Sequence, residues 1–124
     1  PTVSYSPSPG TSINFPGGGA GIATQSISVS SSGGVAPGVV NVANCTASAG
    51  FTITNAPINF SAIPGTFFGS INLSCTRGAS AQSGSLSCTE TPSPGTAVTR
   101  SWPLNCPAAA ADLIFRNGFE AGAN

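Results

Sequence analysis

The sequence predicts an all-β protein, and three observations carry the prediction. The chain of 124 residues holds 16 glycines and 11 prolines, which gather with Ser and Asn into turn clusters about every ten residues, the spacing of short strands in a sandwich or barrel. Between the clusters, apolar and polar residues alternate with period two, as on half-buried strands. No uninterrupted stretch has room for a helix of ordinary length, about 8–20 residues.

The clusters are SPSPG at 6–10, FPGGGAG at 15–21, SSSGG at 30–34, SAG at 48–50, IPG at 63–65, RGASAQSG at 77–84 and PSPG at 92–95. They leave strands near 2–6, 11–15, 24–31, 38–46, 51–60, 67–76, 84–91 and 96–106. In 67–76, Phe67, Ile71, Leu73 and Cys75 share one face against Ser70, Asn72 and Ser74. In 84–91, Leu86 and Cys88 oppose Ser85, Ser87 and Thr89; in 96–106, Val98, Trp102, Leu104 and Cys106 oppose Thr99, Ser101 and Asn105. Three of the four cysteines therefore point into the core. Arg100 shares the face of Trp102, and if buried it needs a partner such as Glu90. Pro103 lacks the amide for a ladder hydrogen bond, which predicts that the last strand of the domain is an edge strand.

Charge is scarce. Only 5% of residues are charged, namely Arg77, Arg100, Arg116, Glu90, Asp112 and Glu120, and the formal net charge is zero. No basic patch exists to neutralise phosphates, so nucleic-acid binding is excluded as the expected role. With 40% apolar residues the composition is not that of a disordered chain. A surface without net charge favours association; the Ser and Thr hydroxyls can wet it, or it is meant to assemble. No run approaches the ~18 apolar residues that would span a bilayer. The chain begins with Pro1 and shows no charged-then-apolar leader, as expected of a processed chain or a fragment. Four cysteines without a CxxC pair, in a chain without His, do not suit zinc. Two disulfides formed in an oxidising compartment are expected instead.

The residue inventory argues against catalysis. Without His there is no Ser-His-Asp triad or Cys-His pair, and without Lys no Ser-Lys dyad or Schiff base. Glycoside hydrolysis needs two opposed carboxyls, whereas Glu90 stands apart from Asp112 and Glu120. No catalytic, metal-binding or cofactor-binding residue is assigned, and no cofactor is expected. The run Gly17-Gly18-Gly19-Ala20-Gly21 lacks the Lys-Ser/Thr of a phosphate loop and is expected to be a flexible turn. Asn44, Asn59 and Asn72 begin N-glycosylation sequons of a kind that arise by chance in a chain this rich in Ser and Thr. Thr52 and Thr54 form one outward Thr pair, too few for an ice-binding array.

After residue 106 the composition changes. Pro107 and the alanines to 111 read as a linker, and 112–124 as a tail holding half the charges. As a detached strand, the tail places Leu113, Phe115 and Phe119 on one face and Asp112, Arg116 and Glu120 on the other, with Ile114 among them. As a helix, the same charges would fall four apart, but Gly118 and the short length disfavour it.

The progression Asn44-Cys45-Thr46, Phe51-Thr-Ile-Thr54, Ile71-Asn-Leu-Ser-Cys75, Ser85-Leu-Ser-Cys88-Thr-Glu90-Thr and Ser101-Trp-Pro-Leu-Asn-Cys106 resembles the four-cysteine β-sandwich domains of secreted and surface proteins of Gram-negative bacteria. The ending Ile114-Phe115-Arg116-Asn117-Gly118-Phe119-Glu120 is similar to the IF-x-[DN]-GFE tail common on such exported proteins. The resemblance implies an immunoglobulin-like sandwich of about seven strands, export and no catalytic role, and it carries over no binding residues. Four cysteines allow three pairings. A hairpin about 92–95 sets residue 88 near 99, too far from Cys106, while in an immunoglobulin-like order Cys75 and Cys106 end nearby strands; the preferred pairs are Cys75–Cys106 and Cys45–Cys88.

These features together predict a secreted, pilus-like structural subunit at the cell surface. Its partner would be further copies of itself, joined when Asp112, Leu113, Ile114, Phe115, Arg116, Phe119 and Glu120, or the N-terminal strand 2–15, add to an edge or fill a groove of the next subunit. The alternatives are a monomeric adhesive module binding surface glycans through Tyr5 and Phe68, and a tail that serves as an export or anchoring signal.

Overall fold

The computed structural model describes residues 1–35, 38–65 and 67–110, with backbone alone at Phe67 and Phe68. These residues form nine strands and no helix: β1 (Thr2–Ser6), β2 (Ile13–Asn14), β3 (Gly21–Ser32), β4 (Val39–Ala47), β5 (Phe51–Ile53), β6 (Asn59–Ala62), β7 (Phe67–Arg77), β8 (Gln82–Ser93) and β9 (Val98–Cys106). One sheet has the order β1-β3-β7-β5 and the other β2-β9-β8-β4-β6. Among the described residues, therefore, no helix is long and apolar enough to cross a membrane.

The alternation read from the sequence is what closes the sandwich. Inward residues of the two sheets, among them Ile27, Ile71, Leu73, Leu86, Trp102 and Leu104, are fully buried against one another, as in face-packed antiparallel sheets. The ring of Tyr5 meets that of Trp102 edge-on at 5.2 Å, and the indole Nε1 donates to the carbonyl of Pro7 at 3.0 Å, so the one polar atom of the largest core residue is satisfied.

Cys45 breaks the phase of its own strand, since Val40 and Val42 point inward and residue 45 falls on the opposite parity. The structure resolves this with a β-bulge. The β4–β8 register shifts between Ala43 and Thr46, and Asn44 takes φ 55°, a conformation Asn tolerates better than most residues. One extra residue then turns Cys45 and Ala47 towards the core, and Cys45 bonds to Cys88 across two adjacent strands, with Cα atoms 4.0 Å apart. The second disulfide, Cys75–Cys106, joins β7 of one sheet to β9 of the other, with Cα atoms 6.4 Å apart.

Two sequence expectations are corrected. The single strand at 51–60 is two: β5 pairs with β7, and β6 pairs with β4 in the other sheet. The inward parity changes from Phe51 to Ile58 and Ala62, because the chain crosses between sheets over 54–58, where Pro57 has no amide to donate. The last strand of the domain is not an edge, since β2 lies beside β9 in parallel, pairing Ile13 with Leu104 and Asn14 with Asn105. The amides of Gly10 and Phe15 donate to the carbonyls of Ser101 and Asn105, so odd-numbered residues of β9 turn their backbone groups towards this side. The missing amide of Pro103 faces the short β2 segment and leaves the β8–β9 ladder intact.

Candidate functional site

The chain leaves the sandwich at a built exit. Arg77, at the end of β7, donates from Nε to the carbonyl of Gly19 at 2.7 Å and from a terminal nitrogen to that of Pro16 at 2.9 Å. The glycine-rich run is thus tied down by a guanidinium. At Gly18 φ is 151°, and a Cβ would come within 3.1 Å of that guanidinium, so the position requires glycine. The departing chain bonds to the same place: Ala109 N–H donates to Gly78 O and Ala110 N–H to Gly18 O, both at 2.7 Å. The predicted interface residues Asp112, Leu113, Ile114, Phe115, Arg116, Phe119 and Glu120 lie outside the described residues. Sequence reasoning missed the seat from which they depart, because nothing local to Gly17–Gly19 pairs them with an arginine some 60 positions away.

The N-terminal segment is not a free connector. Thr2–Ser6 pairs with Ser28–Ser32 of β3, and Ile13–Asn14 with β9, so residues 2–15 supply strands to their own sandwich. Because β1 covers only Ser28–Ser32, the preceding half of β3 has, among the described residues, a strand neighbour on one side alone, namely β7. At the far side of β7 the edge is blocked by a side chain. Asn55 donates from Nδ2 to Ser70 O and accepts from Asn72 N–H, both at 2.9 Å, which mimics the rungs of a further strand.

Arg100 is not buried, its side chain being 38% exposed, yet it meets Glu90 at the rim of the core. Arg100 Nε and a terminal nitrogen donate to the two carboxylate oxygens of Glu90 at 3.1 and 3.2 Å, and Tyr5 O–H donates to Glu90 at 2.7 Å. The cluster ties β1 of one sheet to β8 and β9 of the other. Burial alone would raise the Glu90 pKa, but the hydrogen bonds from Arg100 and Tyr5 outweigh it and hold the carboxyl below its ordinary value. Burial, then the Glu90 carboxylate, push the Tyr5 hydroxyl well above its ordinary 10.0. A depressed acid stabilises the fold above its unfolded pKa and loses that contribution as pH falls through the folded one; a raised phenol does so as pH rises. Urea midpoints should therefore fall below pH 4.5 and again above pH 10.0, and Glu90→Gln should flatten the acid limb. An unchanged acid limb in that variant would show that Glu90 is not the group responsible.

This geometry removes Tyr5 as an aromatic platform for a glycan: the residue is 8% exposed and its hydroxyl is engaged. The side chain of Phe68 lies outside the described residues.

The outward faces of both sheets carry hydroxyls and amides. On one, Thr24, Ser26 and Ser28 pair with Ser74, Asn72 and Ser70; on the other, Ser83, Ser87 and Thr89 pair with Asn105, Ser101 and Thr99. The charged residues among the described positions, Arg77, Glu90 and Arg100, all fall on inward parity and serve as rim contacts. Solvation of the faces therefore rests on uncharged groups, and no cluster of metal-ligating side chains occurs among the described residues.

No protein-family model matches the chain, and no curated protein matches it in sequence. Solved structures do. The PapD-like (ASH) domain 7 of human CEP192 superposes with a TM-score of 0.64 at 14% identity, covering 86% of this chain and 84% of that one. The periplasmic chaperone SfaE superposes with a TM-score of 0.58 at 13% identity, covering 86% of this chain and 58% of the chaperone. At such identities the likeness establishes the fold: the chain folds as an immunoglobulin-like β-sandwich closed by two disulfides.

Proposed function

We propose that this protein is an exported, non-catalytic structural subunit that joins a neighbouring copy by β-strand addition of its C-terminal segment, residues 112–120. One observation carries the proposal. Residues 1–106 supply both sheets, the core and both disulfides from their own strands, and the chain is pinned at Ala109 and Ala110, so the sandwich closes without calling on the alternating segment that follows. Strand addition draws affinity from main-chain hydrogen bonds and register from alternate side chains, here Leu113, Phe115 and Phe119. A head-to-tail contact of this type does not close on itself and builds a filament. The absence of free cysteines supports export to an oxidising compartment, and the engagement of Arg77, Glu90 and Arg100 in structural contacts supports a non-catalytic role.

Removing residues 112–124 should abolish the assemblies that negative-stain microscopy and light scattering detect for the intact protein, while leaving the sandwich folded. Assemblies that survive the deletion, or an intact protein that stays monomeric at all concentrations, would overturn the proposal.

A further inference from the structure

The half of β3 left uncovered by β1 is the longest run of strand among the described residues without a hydrogen-bonded neighbour on one side. Its direction follows from parity. In β7 the N–H and C=O of Asn72 face β5, through Asn55 and Thr54, so odd-numbered residues of β7 face β3. Their partners in β3 are Ala23, Gln25 and Ile27. Ile22, Thr24 and Ser26 therefore turn their amides and carbonyls the other way, in line with the groups of Ser28 and Ser30 that meet β1, and no backbone or side-chain partner meets them among the described residues. Beside this edge lies a notch of about 160 Å³ between the sheets, lined by Pro7, Ser12, Ile13, Asn14, Gln25 and Ser26.

We infer that in the unassembled chain residues 112–118 dock along this edge as an added parallel strand beside Ile22, Thr24 and Ser26, and that assembly exchanges the strand between copies. The inference rests on the proposed role of the tail and names its acceptor. Position supports it first: Ala110 is bonded to Gly18, three residues before β3 begins. Length agrees, since seven tail residues at about 3.3 Å each span the seven from Gly21 to Ile27. Register agrees as well. In a parallel ladder the Ala110–Gly18 bond, continued equally, sets the N–H of Ile114 against the carbonyl of Ile22 and its carbonyl against the N–H of Thr24, and brings Leu113 beside Ile22, which is 70% exposed. Covering an open edge with the chain's own strand also guards it against indiscriminate pairing, and exchange of an identical element between copies is a low-cost route to assembly.

Trypsin provides the probe, because the chain has no Lys and only three Arg, of which Arg77 and Arg100 are tied into the sandwich. In the monomer fraction of the intact protein, cleavage after Arg116 should be at least about tenfold slower than in Thr24→Pro, which removes the central amide of the edge without touching the β7 ladder. Hydrogen exchange gives a readout independent of that variant: the amides of Ile22, Thr24 and Ser26 should be protected in the intact monomer and lose protection in the chain ending at Ala110. Equal cleavage rates, or equal exchange, would overturn the inference. If deletion of 112–124 abolishes assembly while Arg116 is open in the monomer, the acceptor is wrong and the connector role stands. If Arg116 is protected but deletion leaves assembly unchanged, the docking stands and the connector role fails.

Discussion

Trp102→Ala should destabilise the domain by about 3–5 kcal/mol, a large part of the ~5–15 kcal/mol available to a domain of this kind. The indole is fully buried at the centre of β9, packs edge-on against Tyr5 and donates to Pro7. Truncation leaves a cavity between the sheets, removes the aromatic contact and orphans a carbonyl at the point where β1 hands over to β2. Trp102→Phe separates these effects: it keeps most of the volume and loses the hydrogen bond, for an expected cost of about 1 kcal/mol. Urea unfolding followed by circular dichroism measures both, since the chain has no other tryptophan to serve as a fluorescent reporter. Equal losses in the two variants would place the cost in the hydrogen bond and contradict the packing account.

Removing the inter-sheet disulfide with Cys75→Ala and Cys106→Ala should cost about 3–4 kcal/mol, the loop-closure value for a sequence separation of 31. The pair Cys45–Cys88 closes a separation of 43, and chain entropy alone predicts a similar loss for Cys45→Ala with Cys88→Ala. Their positions differ, however. Cys45–Cys88 links strands already paired in one sheet, while Cys75–Cys106 holds the two sheets together and anchors the chain next to its exit. Removal of the second pair should therefore also speed exchange of the Ala109 and Ala110 amides, and removal of the first should not. Thermal unfolding under non-reducing conditions, with exchange of those amides, tests both parts; a loss under about 1 kcal/mol for either pair would contradict the loop-closure account.

Much of the sandwich is legible in the residues because sheet burial has period two. Phe67 to Cys75 and Trp102 to Cys106 declare their inward faces by alternation alone, and the strands there lie within a residue or two of where the pattern ends. The departures occur where a local pattern is overridden by its neighbours. Residues 51–60 look continuous, yet they serve two sheets, and only the change of inward parity between Phe51 and Ile58 hints at it. Pro103 suggests an edge, yet a strand of two residues pairs outside it, because a proline excludes only the bond its own amide would make. Asn44 carries no signal of a bulge until Cys45 has to face Cys88.

The site shows the same division. Half the charges fall beyond residue 111, which marks the tail as distinct from composition alone, and Arg100 on the face of Trp102 calls for an acid that Glu90 supplies. By itself the sequence determined an all-β, cysteine-linked, nearly uncharged domain followed by an alternating tail, since composition and period are local properties written in order along the chain. Only the tertiary structure decided that Arg77 holds the glycine-rich turn, that residues 2–15 are spent within the molecule, and that Ile22, Thr24 and Ser26 present an edge with no strand partner among the described residues. Those facts depend on which strands become neighbours, and pairing across 60 or more residues is set by the packing of the whole core rather than by any segment of it.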